Sequence, residues 1–419
     1  MLRFAPSPTG EMHIGELRVA IFNYMVAKQR DVNFIVRIED TDKERNITGK
    51  DTEIMEILEK FALTHDSVSH QSENLHMHQT LAIRLLEEKK AFVCTCKSPN
   101  CSGQCMDIGT NNLSKLKEEK TPFVIRIKKP ECNIIYQDLL KGEMSATPDE
   151  VDSFVILRED STPSHDFACA CDDMISGVTL IIRGEDHLLN TPKQMHIKTL
   201  LGYDQETEYA HLPNILNNED NKMSIDDDAG SVKWLFEQGF IPDAIANYLI
   251  ALGNETPTEI FTMPEALEWF DLFKISTSPV KFDIEKLRFI NRKHLEMMDD
   301  KRLSVLFGFA DENIGKLAKV YLEEASTINE LEEKIRAIFK PKDFSGEWGE
   351  QMKQMSDVIF DAPMINTYDA FESYIMEKTG LQGANFSKPL RHLLTGAGDG
   401  PELSNIYPYI KSYILEVAS

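Results

Sequence analysis

The tightest constraint on this chain lies in its first forty residues, which read as strand, turn, helix and strand in that order. Leu2 to Ala5 is a short apolar run, and Leu17, Ala20, Ile21, Tyr24 and Met25 then recur at helical spacing. Asn33 to Glu39 alternates, with Phe34, Val36 and Ile38 on one face and Ile35, Arg37 and Glu39 on the other. Between the first strand and the helix, Pro6-Ser7-Pro8-Thr9-Gly10 excludes regular structure. A helix crossing between two such strands makes them parallel, and ligands of parallel sheets sit beyond the strand carboxyl ends. The expected fold class is therefore α/β with a parallel sheet.

The rest of the chain is too long for one such unit: 419 residues, at about 100 to 200 per domain, make two to four domains. Residues 84 to 165 break the pattern with a cysteine cluster, then Lys115, Lys117 and Lys120, then an alternating strand from Phe123 to Lys128, and read as an insertion. Val178 to Ile182 restores a buried strand that ends in Arg183-Gly184-Glu185-Asp186-His187. Helices follow. Ser231 can cap Val232 to Gln238 with Gly239 as the stop, and Pro242 suits the first turn of a helix reaching Leu252. Leu303 to Phe309, Leu317 to Leu322 and Ile328 to Phe339 carry the periodicity of a helical bundle.

Composition bounds the function. No stretch reaches the roughly 18 apolar residues of a membrane span, and the opening residues lack signal-peptide character, so no membrane contact is expected and the cytoplasm is the default address. With 45 Lys+Arg against 69 Asp+Glu the net charge is −24, the wrong sign for a non-specific coat on nucleic acid. Any nucleic-acid contact must be local and shape-dependent.

Four segments carry candidate chemistry. Arg3 to Gly10 leads through Met12 into His13-Ile14-Gly15-Glu16 at a helix start, where free N–H groups and the helix dipole favour an anion such as a triphosphate. Arg37-Ile38-Glu39-Asp40-Thr41-Asp42 and Arg183 to His187 put charged groups at the ends of two strands of one sheet. Asn221-Lys222-Met223-Ser224 is a polar loop whose lysine could close over phosphates. Taken singly, each also reads as a Pro-rich turn, a solvated strand end or an ordinary loop.

Together, in this order and spacing, the segments resemble the class I aminoacyl-tRNA synthetases, and most closely the bacterial glutamyl-tRNA synthetase family. His13-Ile14-Gly15 matches its HIGH-type motif and Lys222-Met223-Ser224 its KMSKS-type loop. Pro163 through Asp172-Asp173, Asn190-Thr191-Pro192, Pro242-Asp243-Ala244, Phe282-Asp283 and Pro389-Leu390-Arg391 with Gly400-Pro401 extend the likeness over nearly the whole chain. The resemblance implies a Rossmann-type catalytic domain in two halves, residues 1–83 and 166–240, split by an acceptor-stem-binding domain at 84–165. A helical connecting region at 241–300 and a helical anticodon-binding domain at 301–419 would follow. It implies ATP-dependent activation of L-glutamate to glutamyl-adenylate and transfer to tRNA-Glu, or to tRNA-Gln in the indirect pathway, by a monomer. Arg3, Ser7, Glu39, His165 and Arg183 would line the amino-acid pocket. Pro6, Thr9, His13, Gly15, Glu185, Lys222 and Ser224 would bind ATP, with His13 and Lys222 catalytic and Mg²⁺ bridging phosphate oxygens.

Three departures stand out. Ile225 followed by Asp226-Asp227-Asp228 replaces the second lysine of the KMSKS-type motif, which raises the alternative of a silenced, tRNA- or nucleotide-binding relative. His165 stands where the family commonly has tyrosine, and Glu16 fills the fourth HIGH position. Cys94, Cys96, Cys101 and Cys105 supply four thiolates within twelve residues, enough for a closed structural zinc site, with four free thiols as the other reading. Cys169 and Cys171 read as alternating strand positions near the pocket, and with Cys132 they are assigned to core packing.

Overall fold

The opening pattern folds as its periodicities dictate. In the computed structural model, which describes residues 1–96, 101, 105–106, 115–116, 118–224 and 226–419, β1 is Leu2–Phe4, α1 is Ile14–Gln29 and β2 is Phe34–Ile38. β1 and β2 pair in parallel with Arg3 opposite Ile35. Helix α2 (Lys50–Lys60) crosses to β3 (Ser67–His70), which adds parallel to β2 and leads into α3 (Leu75–Glu87). Every residue of β2 is buried, as befits a parallel strand covered on both faces.

The segment read as an insertion builds two things. β4 (Ala91–Cys94), β5 (Val124–Ile127) and β8 (Val155–Leu157) form a small antiparallel sheet that ends at the cysteine cluster. Between β5 and β8, a hairpin of β6 (Ile134–Asp138) and β7 (Gly142–Ala146) instead joins the main sheet system, with Asp138 opposite Tyr209 in a parallel pairing.

After α4 (His165–Ile175), β9 (Leu180–Gly184) returns beside β1, where the Thr179 N–H donates to the Met1 carbonyl at 3.1 Å. Helix α5 (Asn190–Leu200) leads to β10 (Glu208–Leu212), which pairs parallel to β9. The sequence of strands thus runs outward through β2 and β3 on one side and through β10 and β6 on the other. The reversal falls between β1 and β9, and the crevice at such a reversal is where open α/β sheets bind ligands.

Three sequence expectations need correction. Cys169 and Cys171 lie on a helix, α4, rather than on a strand. All residues from Phe167 to Asp173 are buried, so no polar face reveals the helical period. Cys132 is exposed and packs in no core. Arg183 is the penultimate residue of β9 rather than a residue beyond it.

The described residues divide into two compact units, Met1–Trp234 with Leu249–Phe282, and Leu235–Tyr248 with Asp283–Ser419. The second contains helices Ile284–Met297, Asp300–Leu306, Glu312–Val320, Ile328–Phe339, Gly349–Phe360, Tyr368–Thr379, Ala384–Thr395 and Leu403–Ile410. The first four starts are capped by the side chains of Asp283, Asp299, Asp311 and Thr327: Asp283 accepts from the N–H groups of Glu285 and Lys286, and Thr327 and Glu330 form a reciprocal capping box. Gly396 ends its helix at φ +70°, and a Cβ there would come within 2.5 Å of the Ala337 carbonyl. Arg391 donates to the carbonyls of Gly400 and Pro401 at 3.2 and 3.0 Å, which accounts for the Arg391 and Gly400-Pro401 segments as one structural element. Among the described residues no helix is long and apolar enough to cross a membrane.

Candidate active site

A cavity of about 650 Å³ opens at the crevice between β1 and β9. Arg3, Pro6, Ser7, Thr9, His13, Gly15, Glu39, His165, Arg183, Lys222 and Ser224 all line it. Glu185 is the exception among the described candidates: its carboxylate accepts from the Asn214 N–H at 2.8 Å and pairs with Lys141 Nζ at 2.5 Å, and it is not in the lining. Ile225 lies outside the described residues, as does most of the chain between Cys96 and Lys115.

One end of the cavity is built from guanidinium groups with their donors still available. Arg3, on β1, gives its Nε–H to Asp173 Oδ1 at 3.2 Å, and among the described residues its two Nη groups have no partner. Arg37, fully buried on β2, gives Nη1 to the same Asp173 oxygen at 2.6 Å and Nη2 to Glu39 Oε1 at 3.0 Å. Burial would raise the Asp173 carboxyl, but Arg3 and Arg37 hold it well below the usual carboxylate range. Glu39 is ionised in the same way: burial opposes the charge, and His165 and Arg37 outweigh it.

Arg183 is fixed from behind. Its Nε, Nη1 and Nη2 donate to His211 Nε2, Gln194 Oε1 and Thr191 Oγ1 at 3.2, 2.9 and 2.5 Å. Arginine has five N–H donors, so among the described residues two remain without a partner, one on each Nη, where a carboxylate can accept them. His211 Nε2 accepts from Arg183 and lies 2.9 Å from the Thr191 hydroxyl, so the ring proton must sit on Nδ1, 2.6 Å from Asp138 Oδ2. Asp138 closes β6 and also accepts from the N–H groups of Leu140 and Lys141. The hairpin thereby sets the orientation of an arginine in the cavity. Neither Asp138 nor His211 was marked by sequence reasoning; the only signal was a histidine in an otherwise apolar stretch, Tyr209-Ala210-His211-Leu212.

The other end belongs to His13, the residue that caps α1. Its Nδ1 accepts from the Gly15 N–H at 2.9 Å, and its own N–H donates to Glu16 Oε2 at 2.9 Å. The helix start therefore has fewer free N–H groups than the sequence suggested, because the capping box uses two of them. What it gains is a defined tautomer. With Nδ1 accepting, the proton is on Nε2, which is shielded from solvent and has no partner among the described residues. Burial, then the charge of Lys222, push His13 down to about 4, so the ring is neutral at pH 7 and presents one N–H to the cavity.

Lys222 is exposed and its Nζ rests 3.0 Å from Asp186 Oδ2. The acidic residues behind the loop shape it: Asp227 accepts from the Ser224 N–H at 2.8 Å and from Asn217 Nδ2 at 3.0 Å, while the Asp226 N–H donates to Ser224 Oγ at 3.1 Å. The loop backbone also lies directly on Gly230, where a Cβ would stand 2.0 Å from the Ser224 carbonyl oxygen and 3.3 Å from His13 Nε2.

Away from the cavity, the sulfurs of Cys94, Cys96, Cys101 and Cys105 all lie within 4.8 Å of one another. Cys96 Sγ is 3.3 Å from Cys105 Sγ and 3.9 Å from Cys101 Sγ. Tetrahedral zinc with bonds of about 2.3 Å separates its sulfurs by about 3.8 Å, so the cluster fits that ion with small adjustments.

Comparison with known proteins points the same way. The family model described as the catalytic domain of class I tRNA synthetases for E and Q matches residues 1–102 and 96–289. The chain is 67% identical over 428 residues to a protein named glutamate–tRNA ligase 2 from a Sulfurovum species, and 53% identical over 433 residues to glutamate–tRNA ligase 1 from a Nitratiruptor species; both alignments cover 100% of each chain. Among solved structures, a glutamate tRNA ligase from Elizabethkingia meningosepticum in complex with its amino acid superposes with a TM-score of 0.83 at 25% identity, covering 99% of this chain and 97% of that one.

Proposed function

From the premise that this chain belongs to the class I tRNA synthetases for glutamate and glutamine, we propose that the cavity joins L-glutamate to ATP as glutamyl-adenylate. The glutamyl group then passes to the 3′ end of tRNA-Glu, or of tRNA-Gln where that tRNA is charged indirectly. The observation that carries this reading is the meeting of Arg3, Glu39 and Arg183 in one cavity with His13 and Lys222.

The division of labour follows from the donors left open. A dicarboxylate amino acid needs two cationic partners and one anion: Arg3 and Arg183 offer N–H pairs suited to carboxylates, and Glu39 Oε2 suits the ammonium group. Ser7 and His165 complete the wall. An oxygen of the α-carboxylate attacks the α-phosphorus in line, forming a new P–O bond as the bond to pyrophosphate breaks. The His13 Nε2–H and the Lys222 ammonium stabilise the charge spread over the phosphates, Lys222 leaving Asp186 to do so. Pro6, Thr9, Gly15 and Ser224 border the nucleotide in this reading. In the second step a hydroxyl of the terminal ribose attacks the activated carbonyl and AMP leaves. No covalent bond to the enzyme is needed.

Mg²⁺ would neutralise charge on the phosphate oxygens; of the nearby carboxylates Glu16 is held by the His13 N–H, and Asp186 becomes available once Lys222 leaves it. Zinc in Cys94, Cys96, Cys101 and Cys105 would be structural, its four positions closed by protein. Residues 84–165 are assigned to the acceptor stem and 301–419 to the anticodon, joined through 241–300 to the catalytic halves 1–83 and 166–240, in a cytoplasmic monomer. The silenced alternative gains nothing from relatives named as ligases over their full length.

The test is charging of purified tRNA-Glu and tRNA-Gln with labelled glutamate, with tRNA present throughout, by the natural protein and by Ile225→Lys. Charging of at least one tRNA supports the reading; binding of both without charging refutes it.

A further inference from the structure

A second metal-ligating group lies inside the cavity, apart from the four cysteines. Glu39, His165 and Cys169 bring a carboxylate oxygen, a ring nitrogen and a sulfur within 4.8 Å of one another. His165 Nδ1 is 3.4 Å from Glu39 Oε2 and 3.6 Å from Cys169 Sγ, and that sulfur is 3.0 Å from Glu39 Oε1. A tetrahedral cation with nitrogen and oxygen at about 2.1 Å and sulfur at about 2.3 Å holds its ligands about 3.4 Å (N to O) and about 3.6 Å (N to S) apart. Both separations are present before any cation arrives.

We propose that Glu39, His165 and Cys169 form a site for a thiophilic divalent cation of the zinc class, placed so that the cation and the amino-acid substrate exclude one another. The ligation stands on geometry alone; the exclusion rests on the reading of this cavity as the amino-acid pocket.

The supporting elements are rigid. His165 and Cys169 are four residues apart on α4 and so share a face, and Glu39 directly follows β2. One sulfur, one nitrogen and one oxygen select zinc, cobalt or cadmium over magnesium or calcium. Three protein ligands leave the fourth position toward the cavity, and the His165 side chain, 44% exposed, gives a path in. Arg37 keeps Glu39 Oε1 while Oε2 turns to the cation. The Cys169 S–H, which now donates to Glu39, loses its proton to solvent as the sulfur–metal bond forms. Arg3 and Arg37 oppose a cation here, but Asp173 lies between them and offsets that charge. The affinity is accordingly below that of four thiolates.

The test uses the full-length protein with one equivalent of zinc in its cysteine cluster, titrated with Co²⁺. The expected result is one further equivalent with a sulfur-to-cobalt charge-transfer band, lost in Cys169→Ser and in His165→Phe. The second variant serves because His165 is exposed and its loss spares the core. L-glutamate at ten times its own dissociation constant should weaken cobalt binding about tenfold. Absence of the extra equivalent, a band that survives both substitutions, or cobalt binding indifferent to L-glutamate overturns the proposal. tRNA charging measured in parallel without cobalt keeps the two readings separate: charging without the cobalt site sinks only the site, and the site without charging sinks only the proposed function.

Discussion

Replacing Asp173 by asparagine removes the charge that two buried guanidiniums, Arg3 and Arg37, share. Asp173 Oδ1 takes Arg3 at 3.2 Å and Arg37 at 2.6 Å, and its Oδ2 has no partner among the described residues. At an effective dielectric of 20, each unit-charge pair about 4 Å apart is worth about 4 kcal/mol. Two such pairs, less several kcal/mol for desolvating the carboxylate, leave the roughly 3–5 kcal/mol lost when one partner of a buried ion pair is deleted. The new amide would also place an N–H₂ group where Oδ2 now has nothing to receive it. Asp173→Asn should therefore lower the unfolding midpoint of the first compact unit by roughly 10 °C, at about 2–4 °C per kcal/mol for a unit of this size. Adding Arg3→Met should recover part of the loss, because one uncompensated charge goes with it. Calorimetry of the two single variants and the double variant gives the coupling directly. A single variant within about 1 kcal/mol of the natural protein, or a double variant whose losses simply add, would refute the electrostatic account. Because the folded Asp173 carboxyl is held below its unfolded value of about 3.9, its contribution is complete at neutral pH and is lost only as pH falls below about 4.

Asp138→Asn should loosen His211 and through it Arg183, raising KM for glutamate about tenfold, the effect of losing about 1.4 kcal/mol of positioning, with kcat little changed; equal effects on both parameters would count against it. Lys222→Ala should cut the charging rate about 10² to 10³-fold without weakening glutamate binding, checked by single-turnover kinetics. His13 titrates at about 4 when folded and near 6.5 when unfolded, so the unfolded chain binds more protons between those values and stability falls as pH drops through that window. Urea midpoints at pH 7.5 and 5 should therefore diverge more in the natural protein than in His13→Asn; parallel changes would remove the assigned tautomer's basis.

The parallel opening was legible because its strand and helix differ in period and the turn between them is rich in proline and glycine. The cavity was legible because its charged residues sit at strand ends, where a parallel sheet puts its ligands. Helix α4 was not, since burial on every side erases the polar face that would mark it, and the result was a strand reading for Cys169 and Cys171. Asp138 and His211 were invisible for another reason: their meeting depends on a hairpin pairing across more than seventy residues of chain, and no local pattern encodes that partner. The contacts of Glu185 with Lys141 and the Asn214 N–H were equally hidden, since both partners lie far along the chain.

Gly230 has a consequence for how the lysine loop could be tuned. The resting height of Ser224 above His13 is set by an atom that is missing, so even a methyl group at position 230 would lift the segment, and Lys222 with it, away from the imidazole. Variation at that one backbone site would act as a spacer, trading reach of the ammonium group against contact with the ring without altering the chemistry of either.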